Sequence, residues 1–258
     1  MENMRKEAVP GRELCTQGAA RGDAASGEAI GIIGAMEIEL RLLKESAAIQ
    51  RTVLIAGMEF CEGRMGNKRV VIVKCGMGKV NAGICANTLI NSFGCTRIVN
   101  TGVAGSLDNR IDIGDIVVSV DAVQHDFDVS PIGFAKGEIP YTGLYAFPAD
   151  GTLRAAAAEA VRTSVPGVRV YEGRICSGDR FICTKEQKDR IITDFGGLCC
   201  EMEGAAVAQA CFLNGVPFVI LRAISDKLDG SSAMEFNAFA ETAAHSCAES
   251  VRAMIGLL

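Results

Sequence analysis

Four stretches of this 258-residue chain place acids, hydroxyls or a guanidinium where apolar runs end. Glu37 and Glu39 follow the run Ile30-Gly31-Ile32-Ile33-Gly34, and Asn100-Thr101-Gly102-Val103-Ala104-Gly105 follows Arg97-Ile98-Val99. Glu201-Met202-Glu203 follows Leu198-Cys199-Cys200, and Arg222-Ala223-Ile224-Ser225-Asp226 ends the run Phe218-Val219-Ile220-Leu221. Carboxylates so placed can bind ligand hydroxyls or position a charge. Each also has a plain structural use: Glu37 and Glu39 favour the positive end of a helix dipole, Glu201 and Glu203 can cap the helix that follows, and Ser225-Asp226 can be a turn. Two glycines and an alanine in the second stretch let the backbone approach a ligand closely, or simply turn. Gly76-Met77-Gly78-Lys79 is neither a dinucleotide fingerprint nor a P-loop, which leaves a tight strand-to-helix turn or an anion cradle. The two histidines, His125 and His245, have no Cys or His companion at metal spacing. With no Gly-x-Ser-x-Gly elbow either, both metal chemistry and a His-dependent triad are disfavoured.

The elements that must carry these groups follow from periodicity. The run at 29–34 reads as a buried strand, and Met36, Leu40 and Leu43 recur at helical spacing after it. Three strand-like runs near 52–56, 58–65 and 69–75 turn at Gly57 and at Gly66-Asn67. Beyond Gly78 a helix is predicted over 79–93. Strands then recur near 97–103, 115–123, 170–182, 198–200 and 217–224, with helices near 150–163, 185–194, 203–213 and 234–256. Strands alternating with helices predict an α/β fold: a three-layer sandwich with helices on both faces of a central mixed β-sheet. In such sheets ligands bind beyond the carboxyl ends of strands, where the four stretches lie. Residues 1–29 lack an apolar pattern and are expected to form a flexible N-terminal extension; 30–258 are expected to form a single domain.

Composition narrows the class. Lys and Arg number 26 against 31 Asp and Glu, a net charge of −5 that argues against nucleic-acid and anionic-membrane surfaces. No apolar run reaches the ~18 residues of a membrane span, and the polar opening does not read as an export signal. Eleven cysteines, an odd number set within apolar runs, read as reduced thiols in a cytoplasmic protein. Residues and spacing alone reach an α/β enzyme with carboxylates at strand ends.

The motifs Ile30-Gly31-Ile32-Ile33-Gly34-Ala35-Met36-Glu37-x-Glu39, Asn100-Thr101-Gly102-x-Ala104-Gly105, Ser177-Gly178-Asp179-x-Phe181-Ile182, Glu201-Met202-Glu203 and Arg222-Ala223-Ile224-Ser225-Asp226 occur in that order. Together they resemble the 5′-methylthioadenosine/S-adenosylhomocysteine nucleosidases of the nucleoside phosphorylase superfamily, over essentially all of 30–258. The resemblance implies a nucleoside phosphorylase/hydrolase-like fold. It also implies hydrolysis of the N-glycosidic bond to adenine plus methylthioribose or S-ribosylhomocysteine, in methionine salvage, with no cofactor and no metal. It casts Asp226 as the acid that protonates adenine N7 and Glu39 as the base that activates water. Glu203 would hold the ribose hydroxyls beside Met202, Phe181 would stack on adenine, and the backbone of Ile182 would read its edge. Gly105 falls in the substrate loop, Arg222 and Ser225 would support the water and Asp226, and Phe236 would line the 5′-thio pocket. A homodimer is implied, with Val129 through Ile132 to Pro140 completing the partner's pocket. Related enzymes often carry Ser or Thr where this chain has Val103, which removes a hydroxyl that helps to hold the water.

The chemistry suits these roles, since bond cleavage leaves electrons on adenine and positive character on the ribose. Three rivals remain. A phosphorylase would need cationic donors in the glycine loops, and 31–34 and 76–78 contain none. A futalosine nucleosidase would share the fold and the acid but take a different 5′ group. A silent nucleoside-binding protein would have no reason to keep Glu39, Glu203 and Asp226 together.

Overall fold

The computed structural model describes residues 28–140, 142–228 and 232–258. They form ten strands: β1 (Ala29–Gly34), β2 (Ala48–Ile55), β3 (Met58–Met65), β4 (Lys68–Lys74), β5 (Cys95–Ser106), β6 (Ile116–Gln124), β7 (Phe147–Pro148), β8 (Val170–Ser177), β9 (Cys199–Glu201) and β10 (Phe218–Asp226). Six α-helices join them: α1 (Glu37–Ser46), α2 (Lys79–Phe93), α3 (Gly151–Ser164), α4 (Lys185–Phe195), α5 (Gly204–Asn214) and α6 (Ser232–Leu257). Most of the extension, residues 1–27, lies outside the described residues. The folded unit starts slightly before the expected division at 29/30. Ala29 is fully buried and already paired with Arg69 and Cys95, and Glu28 forms an ion pair with Arg97.

All ten strands belong to one mixed sheet, ordered β10-β6-β8-β9-β5-β1-β4-β3-β2, with β7 on β6. On one face β1, β4 and β5 pack with α2 and α5; on the other, α1, α3 and α6 cover the sheet. The sandwich is therefore three-layered and mixed, as the alternation predicts. Half of it also closes on itself, because β10 pairs with β5 in parallel as well as with β6. Strands β5, β9, β8, β6 and β10 thus form a ring. The long strand β5 makes this possible, since Ile98–Gly105 faces β10 while Gly105-Ser106 pairs with β9.

Helix ends follow local rules. Asp150 and Thr184 accept from the third helical N–H of α3 and α4, and Gly94, Gly196 and Gly215 end α2, α4 and α5 with positive φ. One predicted strand is shorter than expected: β8 stops at Ser177, not at 182. There the Gly178 N–H donates to the Glu201 carbonyl, and a Cβ on Gly178 would lie 2.5 Å from His125 Nε2, so the chain leaves the sheet as a loop. That loop carries Phe181 and Ile182.

Candidate active site

A cavity of ≈ 250 Å³ opens at the carboxyl ends of β1, β5 and β10. Its walls include nine of the ten residues singled out in the sequence: Glu39, Gly105, Phe181, Ile182, Met202, Glu203, Ser225, Asp226 and Phe236. The tenth, Arg222, does not reach the cavity. It is buried beneath it, with Nε donating to Glu201 Oε2 at 3.1 Å, Nη2 donating to the same oxygen, and Nη2 donating to Asn100 Oδ1 at 2.6 Å. Its guanidinium orders carboxylates from below.

Glu39 is the third residue of α1, and its side chain folds back over the helix start. Oε2 accepts from the N–H groups of Ala35 (2.7 Å) and Met36 (2.9 Å), and Oε1 accepts from Val103 N–H (3.1 Å). Burial pushes its carboxyl above the ordinary range, while Arg222 and those three N–H groups pull the other way. A buried carboxylate whose proton affinity is raised suits a general base. Glu37 faces solvent and pairs with Lys44 at 2.8 Å, as a helix-start acid does. The two glutamates have different roles because two residues along a helix point to different faces.

The Glu201-Met202-Glu203 junction divides its two possible roles between its acids. Glu201 caps α5, accepting from Gly204 N–H at 2.8 and 3.0 Å, and pairs with Arg222. Glu203 faces the cavity and accepts from Gly78 N–H at 2.8 Å. Desolvation and the neighbouring Glu201 charge push Glu203 up to about 7, against the pull of Arg222. The turn at Gly76-Met77-Gly78 is therefore both tight and an anion cradle, but the anions come from this chain: Glu203 on Gly78 and Asp179 on Lys79 N–H at 2.7 Å.

Asp226 lies opposite Gly105 on β5, and Ser225 Oγ donates to its Oδ1 at 3.0 Å. The glycines of the Asn100–Gly105 stretch make room for these acids. A Cβ on Gly102 would sit 2.5 Å from Glu39 Oε1, and one on Gly105 would sit 2.8 Å from Asp226 Oδ2. At the mouth, Phe181 is 45% exposed and meets Phe236 edge-on, with ring centroids 5.7 Å apart. Val103 lines the wall with an apolar side chain, while its backbone still holds Glu39.

Sequence reasoning missed Met36, Met77 and Arg180 on the cavity wall. The signal for Met36 and Met77 was their place at strand-to-helix turns. It also missed Lys188, which reaches Asp226 from α4 and is considered below. His125 stands partly buried behind Gly178, and burial lowers its pKa. Among the described residues no group of His, Cys, Asp and Glu is arranged to hold a metal. A wider depression among Lys136, Lys185, Asp189 and Asp194 carries surface ion pairs only.

The family model described as "Phosphorylase superfamily" matches residues 29–256. The chain belongs to the phosphorylase superfamily. A 5′-methylthioadenosine/S-adenosylhomocysteine nucleosidase of Shewanella denitrificans is 41% identical over 227 residues, 88% of this chain and 98% of the relative. A solved nucleosidase of that name from Neisseria meningitidis, in complex with methylthio-immucillin-A, superposes with a TM-score of 0.86 at 37% identity, covering 90% of this chain and all of the other. A futalosine hydrolase of Helicobacter pylori superposes with a TM-score of 0.85 at 34% identity, covering 90% and 98%.

Proposed function

We propose that this protein hydrolyses the N-glycosidic bond of 5′-methylthioadenosine and S-adenosylhomocysteine, releasing adenine and the 5-thio-substituted ribose. Support comes from the relatives of that name and from a cavity whose acids suit the two ends of the reaction. Glu39 takes a proton from water, and the oxygen adds to the anomeric carbon. The electrons of the carbon–nitrogen bond move into the purine, and Asp226 delivers a proton to N7. Glu203 accepts hydrogen bonds from the ribose hydroxyls, with Met202 beside the sugar. Phe181 stacks on the base, the Ile182 backbone reads its edge, and Phe236 closes the 5′ end. Arg222 acts through the carboxylates above it, and Ser225 orients Asp226.

One observation carries hydrolysis over phosphorolysis. The backbone donors that could cradle a phosphate already hold carboxylates: Ala35, Met36 and Val103 hold Glu39, and Gly78 holds Glu203. Arg222, the cation beneath the site, is likewise neutralised by Glu201. At those donors an anionic nucleophile would meet the carboxylates of Glu39 and Glu203. The test is to incubate the protein with methylthioadenosine, with and without phosphate, and identify the sugar. Free methylthioribose in both supports this reading, a sugar phosphate would replace it with a phosphorylase, and no turnover would leave a binding protein. Futalosine in parallel distinguishes the related hydrolase.

We also propose a cytoplasmic homodimer. Met77, Val80 and Ile84 on and just before α2, with Phe212 and Leu213 on the adjoining α5, expose large apolar side chains. Residues 129–140, which the family resemblance assigns to the partner's pocket, are absent from the cavity wall of their own chain. No helix among the described residues is long and apolar enough to cross a membrane.

A further inference from the structure

Asp226 has a neighbour that the reaction as described does not use. Lys188 Nζ donates to Asp226 Oδ2 at 2.7 Å, and the two side chains are 0% and 3% exposed. The same ammonium donates to the Lys227 carbonyl. Lys188 lies behind the acid and is absent from the cavity wall. It belongs to the inward stripe of α4, three and seven residues before the buried Ile191 and Phe195. An apolar residue would be the ordinary occupant of that position, and an unpaired ammonium there would be strongly disfavoured. The helix has a cation in its apolar stripe, and that cation ends on Asp226.

Other groups around the pair do not replace it. On β10, Ser225 supplies a neutral hydroxyl to Oδ1. On β9, the Cys200 thiol is pushed up to about 12 by burial and stays neutral. The Lys227 ammonium turns away to Asp112. Arg180, on the loop before α4, lines the cavity but is exposed to solvent.

Given the assignment of Asp226 as the acid, we propose that Lys188 is a positioning residue that aims the Asp226 carboxyl and balances its charge as the proton leaves. Before transfer Asp226 carries the proton and Lys188 is an ammonium. As the glycosidic electrons enter the purine, the carboxyl O–H bond breaks and the N7–H bond forms. Asp226 is left as a carboxylate paired with Lys188, which keeps all its protons. The cation therefore stabilises the side of the transfer on which negative charge appears on Asp226.

The test compares wild type with K188M, K188Q and K188R, and D226N with K188M/D226N, using two substrates. Methylthioadenosine needs its leaving group protonated, whereas a p-nitrophenyl 5-methylthioriboside loses a stable phenolate without help. K188M and K188Q should lower kcat on methylthioadenosine by about 10- to 100-fold with little change in KM, and K188R should restore most of it. On the nitrophenyl substrate both variants should keep rates near wild type, which a merely misfolded protein could not do. Adding K188M to D226N, where both partners are neutral and folding is spared an unpaired charge, should cost nothing further. Wild-type kcat in K188Q, equal losses on both substrates, or an additional loss on the D226N background would each overturn the proposal. Wild-type protein that releases no adenine would remove the assigned reaction, and this role with it.

Discussion

Gly102 offers the sharpest test of how Glu39 is held. Its φ is not positive, so alanine there meets no backbone strain, and the effect is purely one of space. The added Cβ would stand 2.5 Å from Glu39 Oε1 and 3.0 Å from its Cδ. Ordinary contact begins near 3.4 Å, so the carboxylate must retreat by about 0.9 Å, the difference between those distances. It cannot do so freely, because three N–H groups hold it at 2.7, 2.9 and 3.1 Å. A misplacement of ~1 Å in a reacting group costs on the order of 10²-fold. Gly102→Ala should therefore lower kcat for adenine release by about 30- to 100-fold and raise KM far less, since the purine contacts lie elsewhere. Overpacking should also cost about 1–3 kcal/mol of stability, read as a lower Tm or denaturant midpoint. Gly256→Ala, in the last turn of α6 with open space around it, is the matched control and should be neutral or slightly stabilising. A folded Gly102→Ala protein with kcat within threefold of wild type would show that Glu39 need not sit where it does.

Other perturbations separate the remaining roles. Glu39→Gln should lower kcat by about 10²- to 10⁴-fold while leaving the affinity for adenine nearly unchanged, measured by turnover and by calorimetry. Glu203, raised from 4.5 to about 7, makes the folded protein bind more protons than the unfolded chain between those values. Stability should fall as pH rises through that window, by on the order of 3 kcal/mol, and Glu203→Gln should flatten this part of a denaturation series. If Glu203 holds the ribose hydroxyls as proposed, the same titration should lower KM as pH rises through about 7, because the acid form gives up an acceptor that the carboxylate keeps. Val80→Glu on the exposed face of α2 should shift light scattering toward monomer and lower activity; an unchanged dimer would move the interface elsewhere.

The legibility of this site has a physical pattern. Helix α2 begins directly after the Gly76-Met77-Gly78 turn, as the sequence predicts, and the structure ends it at Gly94, because turns and caps are decided by neighbours in sequence. The acids were found for a related reason: each stands where an apolar strand ends, and a sheet gathers its strand ends. What stayed hidden depends on register between distant segments. The closure of β10 onto β5 puts Arg222 opposite Gly102 and Asp226 opposite Gly105, and no local pattern encodes that pairing. Without it, the glycines read as room for a ligand, although part of the space they leave is filled by Glu39 and Asp226.

Arg222 and Lys188 show the same limit from the side of charge. An arginine near an aspartate at a strand end reads as a group facing ligand, yet Arg222 spends its hydrogen bonds on Glu201 and Asn100 beneath the cavity. A lysine three residues before an isoleucine in a charged helix reads as a solvated side chain, yet Lys188 is fully buried. In both cases the decisive fact is a partner far away in sequence: Glu201 for the arginine and Asp226 for the lysine. A buried cation is tolerable only where a carboxylate awaits it. A lysine falling on the apolar stripe of an amphipathic helix, as Lys188 does with Ile191 and Phe195, is therefore a sequence-level sign that an acid lies across the interface. In this fold that acid is Asp226, at the carboxyl end of β10.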